Sequence, residues 1–241
     1  MVIKSIVVAC ITLMLNFTIL EVLAQERPDN PSSPLLNKGI LFFGLSGGGS
    51  LRESENEDLL IVKIQEQKKS GFNVLLSGGY MIKNDLALGG AIRYDVSRLS
   101  KITEDTDDIV SEVREAGSIL TSSVYLKYFI PLTPSKRINL YNIAGIAWVA
   151  DRLTNETFSQ SILTRTYISK NTVQLGFSPG IQVFIINGFA TELGVNVAGL
   201  SGSRKMVTIN GTPESSVNTF DVDLKINLLS VNISFYYYFP I

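Results

Sequence analysis

Four ionisable residues stand inside segments that otherwise alternate between apolar and small polar side chains: Arg93, Asp95, Lys127 and Glu192. Charges so placed can pair with one another or line a path for ions. Gln174, Gln182, Asn196 and Asn232 lie in comparable segments, and their amides can complete a hydrogen-bonded network with the charges. A charge-paired plug centred on Glu192, with Lys127 and Arg93, is the arrangement these residue types favour, because enclosed polar groups need partners whatever the function. A narrow gated ion path through the same residues is the functional alternative.

The missing residue types narrow the chemistry further. The chain has no His, which excludes His-built metal sites, Ser-His-Asp hydrolysis and imidazole general-base catalysis. Its one Cys, Cys10, excludes a disulfide within the chain. Gly44-Leu45-Ser46-Gly47-Gly48-Gly49 is glycine-rich but lacks the Lys and Ser/Thr of a phosphate loop, and reads as close strand packing. Asn155-Glu156-Thr157 and Asn210-Gly211-Thr212 match the short glycosylation pattern, which by itself assigns no role. No spacing points to a Ser-Lys or carboxylate dyad. The chain is therefore expected to be no enzyme, with no catalytic residue, no metal and no cofactor. A net charge of −1 leaves no footprint for nucleic acid.

Lys101 to Gly117 carries six acids, Glu104, Asp105, Asp107, Asp108, Glu112 and Glu115, against Lys101 and Arg114. Divalent-cation bridging is one reading. A solvated acidic loop is the favoured one, because the spaced oxygen ligands and turn Gly of a calcium loop are lacking.

The elements that must hold these residues are strands. Hydrophobic residues at 45% and charged residues at 18% exclude a disordered chain. Leu86, Leu88, Gly90, Ile92, Tyr94 and Val96 alternate with Ala87, Gly89, Ala91, Arg93, Asp95 and Ser97. Residues 72–82, 172–185 and 229–239 alternate equally cleanly, and 39–51, 117–130, 138–151 and 189–202 less so, making eight strands. Short turns fall at Lys83-Asn84-Asp85, at 133–137 and at Asn187-Gly188, a strong hairpin signal. They are about 51 to 53 residues apart, with long polar connections between them at 52–69, 101–116, 152–170 and 203–219. Strict alternation of short and long connections puts all short turns on one rim of a closed barrel. Within the long connections, Leu59-Leu60-Ile61-Val62 and Met206-Val207-Thr208-Ile209 have strand character, an extension of those strands above the membrane, and Leu228-Leu229 breaks the last strand's phase as a bulge would.

Residues 1–24 read as a secretory signal, with Lys4, an apolar stretch from Ile6 to Leu15 and Val22-Leu23-Ala24 before the cut. Cleavage there removes the only Cys. Residues 25–36, with Pro28, Pro31 and Pro34, form a proline-rich lead-in that excludes helix and central strand. Beyond it the longest apolar run is Ile143 to Ala150, far short of the ~18 residues of a spanning helix. Any membrane crossing is made by strands.

A soluble secreted barrel alternates too, with its apolar face inward. Three features favour the membrane. The polar faces are built mainly of Gly, Ala, Ser, Thr and Asn, too small to fill a dry core. They carry charges that would cost ~2–4 kcal/mol if turned to lipid. Finally, Tyr80, Tyr128, Phe129, Tyr141, Phe189, Tyr237 and Phe239 gather next to the short-turn rim, where an interfacial aromatic girdle belongs.

On these features residues 37–239 resemble the small eight-stranded outer-membrane β-barrels of Gram-negative bacteria, the OmpA-like or porin-family barrel domain. The signal segment, four hairpin units of similar length, Ser178-Pro179-Gly180-Ile181 before Asn187-Gly188, and the closing run Leu229 to Phe239 carry the resemblance. It implies an all-β, eight-stranded antiparallel up-and-down transmembrane barrel over 37–241, with short periplasmic turns and long extracellular loops. It also implies outer-membrane lipids as surroundings and recognition of the C-terminal strand by the barrel-assembly machinery. Pro240 and Ile241 after Phe239 depart from the usual aromatic end, and no C-terminal peptidoglycan-binding domain is expected. Enzymes of related barrels use a His this chain lacks.

The resulting expectation is a non-enzymatic outer-membrane protein that works through its extracellular loops on a ligand or surface partner the sequence does not name. A channel or lateral conduit for small hydrophobic solutes, as in OmpW-like relatives, is second. A soluble secreted binding barrel is third.

Overall fold

The computed structural model describes residues 36–239, apart from 59–61, 106–109, 160–161, 196–197 and 225–231. The signal segment, nearly all of the lead-in, Asn196 and the bulge expected at Leu228-Leu229 lie outside the described residues.

Among the described residues ten strands follow one another: β1 (Leu41–Asp58), β2 (Val62–Lys83), β3 (Leu86–Asp105), β4 (Val110–Pro131), β5 (Ile138–Ser159), β6 (Ile162–Ile186), β7 (Phe189–Gly194), β8 (Ala198–Ile209), β9 (Thr212–Leu224) and β10 (Asn232–Phe239). Antiparallel pairing runs in the order β1-β2-β3-β4-β5-β6-β7-β10, and β10 closes on β1 through Leu41↔Phe239 to Leu45↔Phe235. This is the expected eight-strand ring. The two additional strands stand above β7 and β10: β8 pairs with β6, from Phe177↔Ala198 to Thr166↔Ile209, and β9 pairs with β8.

The short turns fall where the dipeptide chemistry puts them. Asp85, Lys136 and Gly188 have positive φ, and Gly188 at φ +84° sits against the Tyr238 carbonyl, where a side chain would collide. The rim they form is tied together. Asp85 donates its amide to the Leu36 carbonyl (2.8 Å) and accepts the Phe129 amide (2.8 Å), while the Lys136 ammonium reaches its carboxylate (3.2 Å).

The long connections are a correction. Segments expected as loops at 52–69, 101–116, 152–170 and 203–219 are strands for most of their length, so neighbouring strands form tall hairpins. The fourth closes on Asn210-Gly211, both at positive φ, as a two-residue hairpin turn requires. Met206–Ile209 is in β8, and 59–61 lie outside the described residues. Alternation of hydrophobicity fades there because both faces meet water, yet the backbone ladder continues in unbroken register from Thr121↔Val149 to Ser111↔Ser159. A 22-residue strand such as β5 rises ~75 Å along its axis, whereas 9–11 tilted residues cross a bilayer.

Orientation follows from exposure. Leu88 (45% exposed), Ile92 (55%), Leu175 (37%) and Ile233 (54%) point outward, whereas Lys127 (0%) and Glu192 (2%) are enclosed. Each such apolar side chain left in water would forgo ~1.5–3 kcal/mol, so this outer band is suited to hydrocarbon. The enclosed hydrophobic cluster lies at the short-turn end: Leu36, Ile40, Phe42, Met81, Phe129, Tyr141, Phe184, Tyr236 and Tyr238. Tyr238 stacks on Phe42 (5.2 Å, 28°) and meets Phe184 edge-on (5.2 Å, 63°).

Candidate functional site

β4 delivers Lys127 and β7 delivers Glu192 to the middle of that closed end, where their side chains form an ion pair. Gln182, from β6, donates through Nε2 to Glu192 Oε1 (2.8 Å) and to the Tyr238 hydroxyl (2.6 Å). Asn139, from β5, donates to Gln182 Oε1 (3.3 Å) and to the Lys136 carbonyl (2.9 Å). The Lys127 ammonium lies 4.4 Å from the Tyr141 ring centre, 4.5 Å from that of Tyr236 and 5.1 Å from that of Phe129. Ring faces of this kind favour a desolvated cation by about 2 kcal/mol. Five strands, β4, β5, β6, β7 and β10, thus converge on one carboxylate and its neighbours.

Local sequence explains the convergence. Inward positions on these strands alternate strictly: Tyr125, Lys127 and Phe129 on β4; Asn139 and Tyr141 on β5; Gln182 and Phe184 on β6; Ala190 and Glu192 on β7. Gly180 makes room, because a Cβ there would overlap the Tyr141 ring and the Leu193 carbonyl. Among the described residues two enclosed polar atoms have no protein partner, the Tyr125 hydroxyl and Asn139 Oδ1. Ser77 donates to the Tyr236 hydroxyl (3.1 Å) just above the pair.

Arg93 does not reach this cluster. It bonds Asp95 on its own strand, Nε to Oδ2 at 2.9 Å and Nη2 to Oδ1 at 2.8 Å, and both remain partly exposed in the upper barrel. The partner of Lys127 on β3 is Ala87, and Arg93 stands six residues further along, ~20 Å of strand. The expected grouping of Arg93 with Glu192 is therefore corrected to two separate pairs. Gln174 is opposite Ala147 and Ser201 and is exposed, above the cluster. Asn232 pairs through its backbone with Gly194, and its side chain lies outside the described residues, as does Asn196.

Tyr80, Tyr237 and Phe239 face outward near the short-turn rim, Tyr128 is half-buried, and Phe189 stacks on Phe235 (6.0 Å, 12°). Tyr141 is a correction. Expected in the outer girdle, it points inward over Lys127, because it shares the phase of Asn139 and Ala147; Phe129 is inward for the same reason. Tyr236, Tyr238 and Asn139 complete the cluster without having been singled out. The signal for the two tyrosines was their phase, which is that of Ser234. Among the described residues no group of three or more Cys, Asp and Glu is placed to hold a metal ion.

No family model and no curated protein matches the chain. Among solved structures, the outer membrane protein OprG from Pseudomonas aeruginosa superposes with a TM-score of 0.50 at 13% identity, over 87% of this chain and 100% of that one. A major outer membrane protein from Thermus thermophilus gives 0.43 at 10% identity, over 83% and 99%. The fold of this chain, an eight-strand antiparallel ring with polar residues enclosed in its lumen, is similar to that of outer-membrane β-barrels.

Proposed function

We propose that this chain is a non-enzymatic protein of the Gram-negative outer membrane, exported by residues 1–24 and presenting its tall hairpins outside the cell. Residues 25–36 then lead from the periplasm into the barrel. The observation that carries this reading is the filled lumen at the short-turn end, where Lys127, Gln182, Asn139, Phe129, Tyr238 and Leu36 are all inaccessible to solvent. A ring of eight strands encloses little more than its own side chains. The outward apolar band supports lipid surroundings, and the alternating last strand supports delivery by the barrel-assembly machinery. Kinship with the OmpA-like barrels in particular rests on the signal segment, the hairpin spacing and that last strand. Refolded protein in planar bilayers should show no conductance steps above leak; regular steps would overturn the sealed lumen.

One observation favours a second reading, lateral passage of small hydrophobic solutes. Among the described residues β1 above Leu45 pairs only with β2, and β9 pairs only with β8. Ser46 Oγ donating to the Ile233 carbonyl (2.7 Å) marks the top of the β1–β10 seam, and Gly47, Gly48 and Gly49 follow. Solute uptake into vesicles that is lost when the seam is bridged by a paired Cys substitution would support this reading over the first.

A further inference from the structure

On the outer face, β2 to β6 and β8 each carry a basic residue as the first charge above the apolar band, whereas on β1 that position is Glu53, in register with Lys68. The basic residues are Lys68 on β2, Arg98 on β3, Arg114 on β4, Arg152 on β5, Arg165 on β6 and Arg204 on β8. All are in the outward phase. Lys68 follows Tyr80, Leu76 and Phe72; Arg98 follows Leu88, Ile92 and Tyr94; Arg152 follows Ile146 and Trp148. Arg204 is opposite Asn171, in phase with the outward Val173 and Leu175.

Heights decide what such a collar can meet. Lys68, Arg98, Arg152 and Arg204 stand about 13 to 16 residues along the strand from their short turns. For strands tilted ~40° that is roughly 35–40 Å along the membrane normal. A bilayer with its headgroups is ~40–45 Å thick, so these four side chains sit at the far headgroup layer. Arg114 and Arg165 stand higher and are engaged by Glu112 (2.6 Å) and Glu156 (2.6 Å). Arg152 donates to Asn171 Oδ1 (3.2 Å) and to two carbonyls. Arg98 and Arg204 have no hydrogen-bond or ion partner among the described residues. Beside Arg98 lies a recess of about 550 Å³ bordered by Lys68, Ser70 and Ser100. Its three carboxylates, Glu112, Glu115 and Glu156, are each held already, by Arg114, Asn155 and Arg165.

We infer that this outer collar, with Arg98 and Arg204 as its open positions, binds the phosphate groups of a phosphorylated outer-leaflet lipid. Guanidinium forks match phosphate oxygens two at a time, and a basic residue at a charged lipid surface gains substantially from it. The inference rests on the proposed outer-membrane setting. Trp148, the one Trp of the chain, faces outward below Arg152 and serves as the optical probe.

The test places the full protein in phosphatidylcholine nanodiscs and titrates dansyl-labelled diphosphoryl lipid A, read by energy transfer from Trp148. Wild type should saturate at a much lower lipid mole fraction than with dephosphorylated lipid A. The double variant Arg98→Ser/Arg204→Ser should need roughly tenfold more lipid A or beyond, at about fivefold per charge. Arg98→Lys/Arg204→Lys should retain most of the preference. Equal saturation by the two lipids, an unchanged Ser variant, or full displacement by inorganic phosphate would each overturn the inference. Heat-modifiable gel mobility keeps the two readings apart: failure to insert overturns the membrane setting, while insertion without phosphate preference overturns the collar alone.

Discussion

Lys127 and Glu192 form their ion pair from β4 and β7, strands that never pair with each other in the ring. The bond therefore crosses the lumen between strands three places apart in the ring and braces them. Its worth lies in what happens when half of it is lost. Glu192→Ala strands an ammonium among rings and should cost ~3–5 kcal/mol, whereas Lys127→Met/Glu192→Leu, which removes both charges, should recover most of that. The temperature at which the folded band disappears in heat-modifiable gel mobility measures both; equal losses in the two would contradict a buried pair.

Arg93 and Asp95 offer the contrast. Their pair is local to one strand and partly exposed, so Asp95→Asn should change stability by less than ~1 kcal/mol. Urea unfolding in detergent micelles checks it. A loss as large as that of Glu192→Ala would mean that the upper pair also braces the barrel.

Gly180 is opposite Tyr141 on β5, and the Tyr ring occupies the space a side chain would take. Gly180→Ala should destabilise by ~1–3 kcal/mol through overpacking. Adding Tyr141→Leu should restore only part, because the Leu193 carbonyl is also in the way. A double-mutant cycle by equilibrium unfolding measures the coupling.

Ile92 faces outward within the apolar band. Ile92→Arg should cost ~2–4 kcal/mol in a lipid bilayer. Thr121→Ser, on the inward phase opposite Arg93, should cost well under ~1 kcal/mol. Folding titrations into vesicles compare the two, and a tolerated Ile92→Arg would place this face outside hydrocarbon.

The ring and its inside-out orientation were legible because period-two alternation and turn dipeptides report on strand faces directly. The cleanest case is β3, where Leu88, Ile92 and Tyr94 are outward and Arg93 and Asp95 inward, as the alternation requires. The height of the hairpins was legible only in part, in the strand character of Met206-Val207-Thr208-Ile209. Where both faces of a strand meet water nothing selects one phase, so Glu112, Arg114 and Thr154 read as loop while their backbones stay in the ladder. The makeup of the cluster was half legible. Lys127 and Glu192 announce themselves by charge, but an aromatic such as Tyr141 suits a lipid interface and a cation equally well, and only its phase relative to Asn139 decides.

The tall hairpins have a consequence for anything approaching the rim away from the short turns. Residues such as Glu156 and Phe158 are carried on a ladder ~20 to 27 Å beyond Ala150, held in register by their neighbours. A visitor at that height meets a stiff palisade whose ordering cost was met when the chain folded, so recognition there can be quick and shape-selective, without a loop having to settle first.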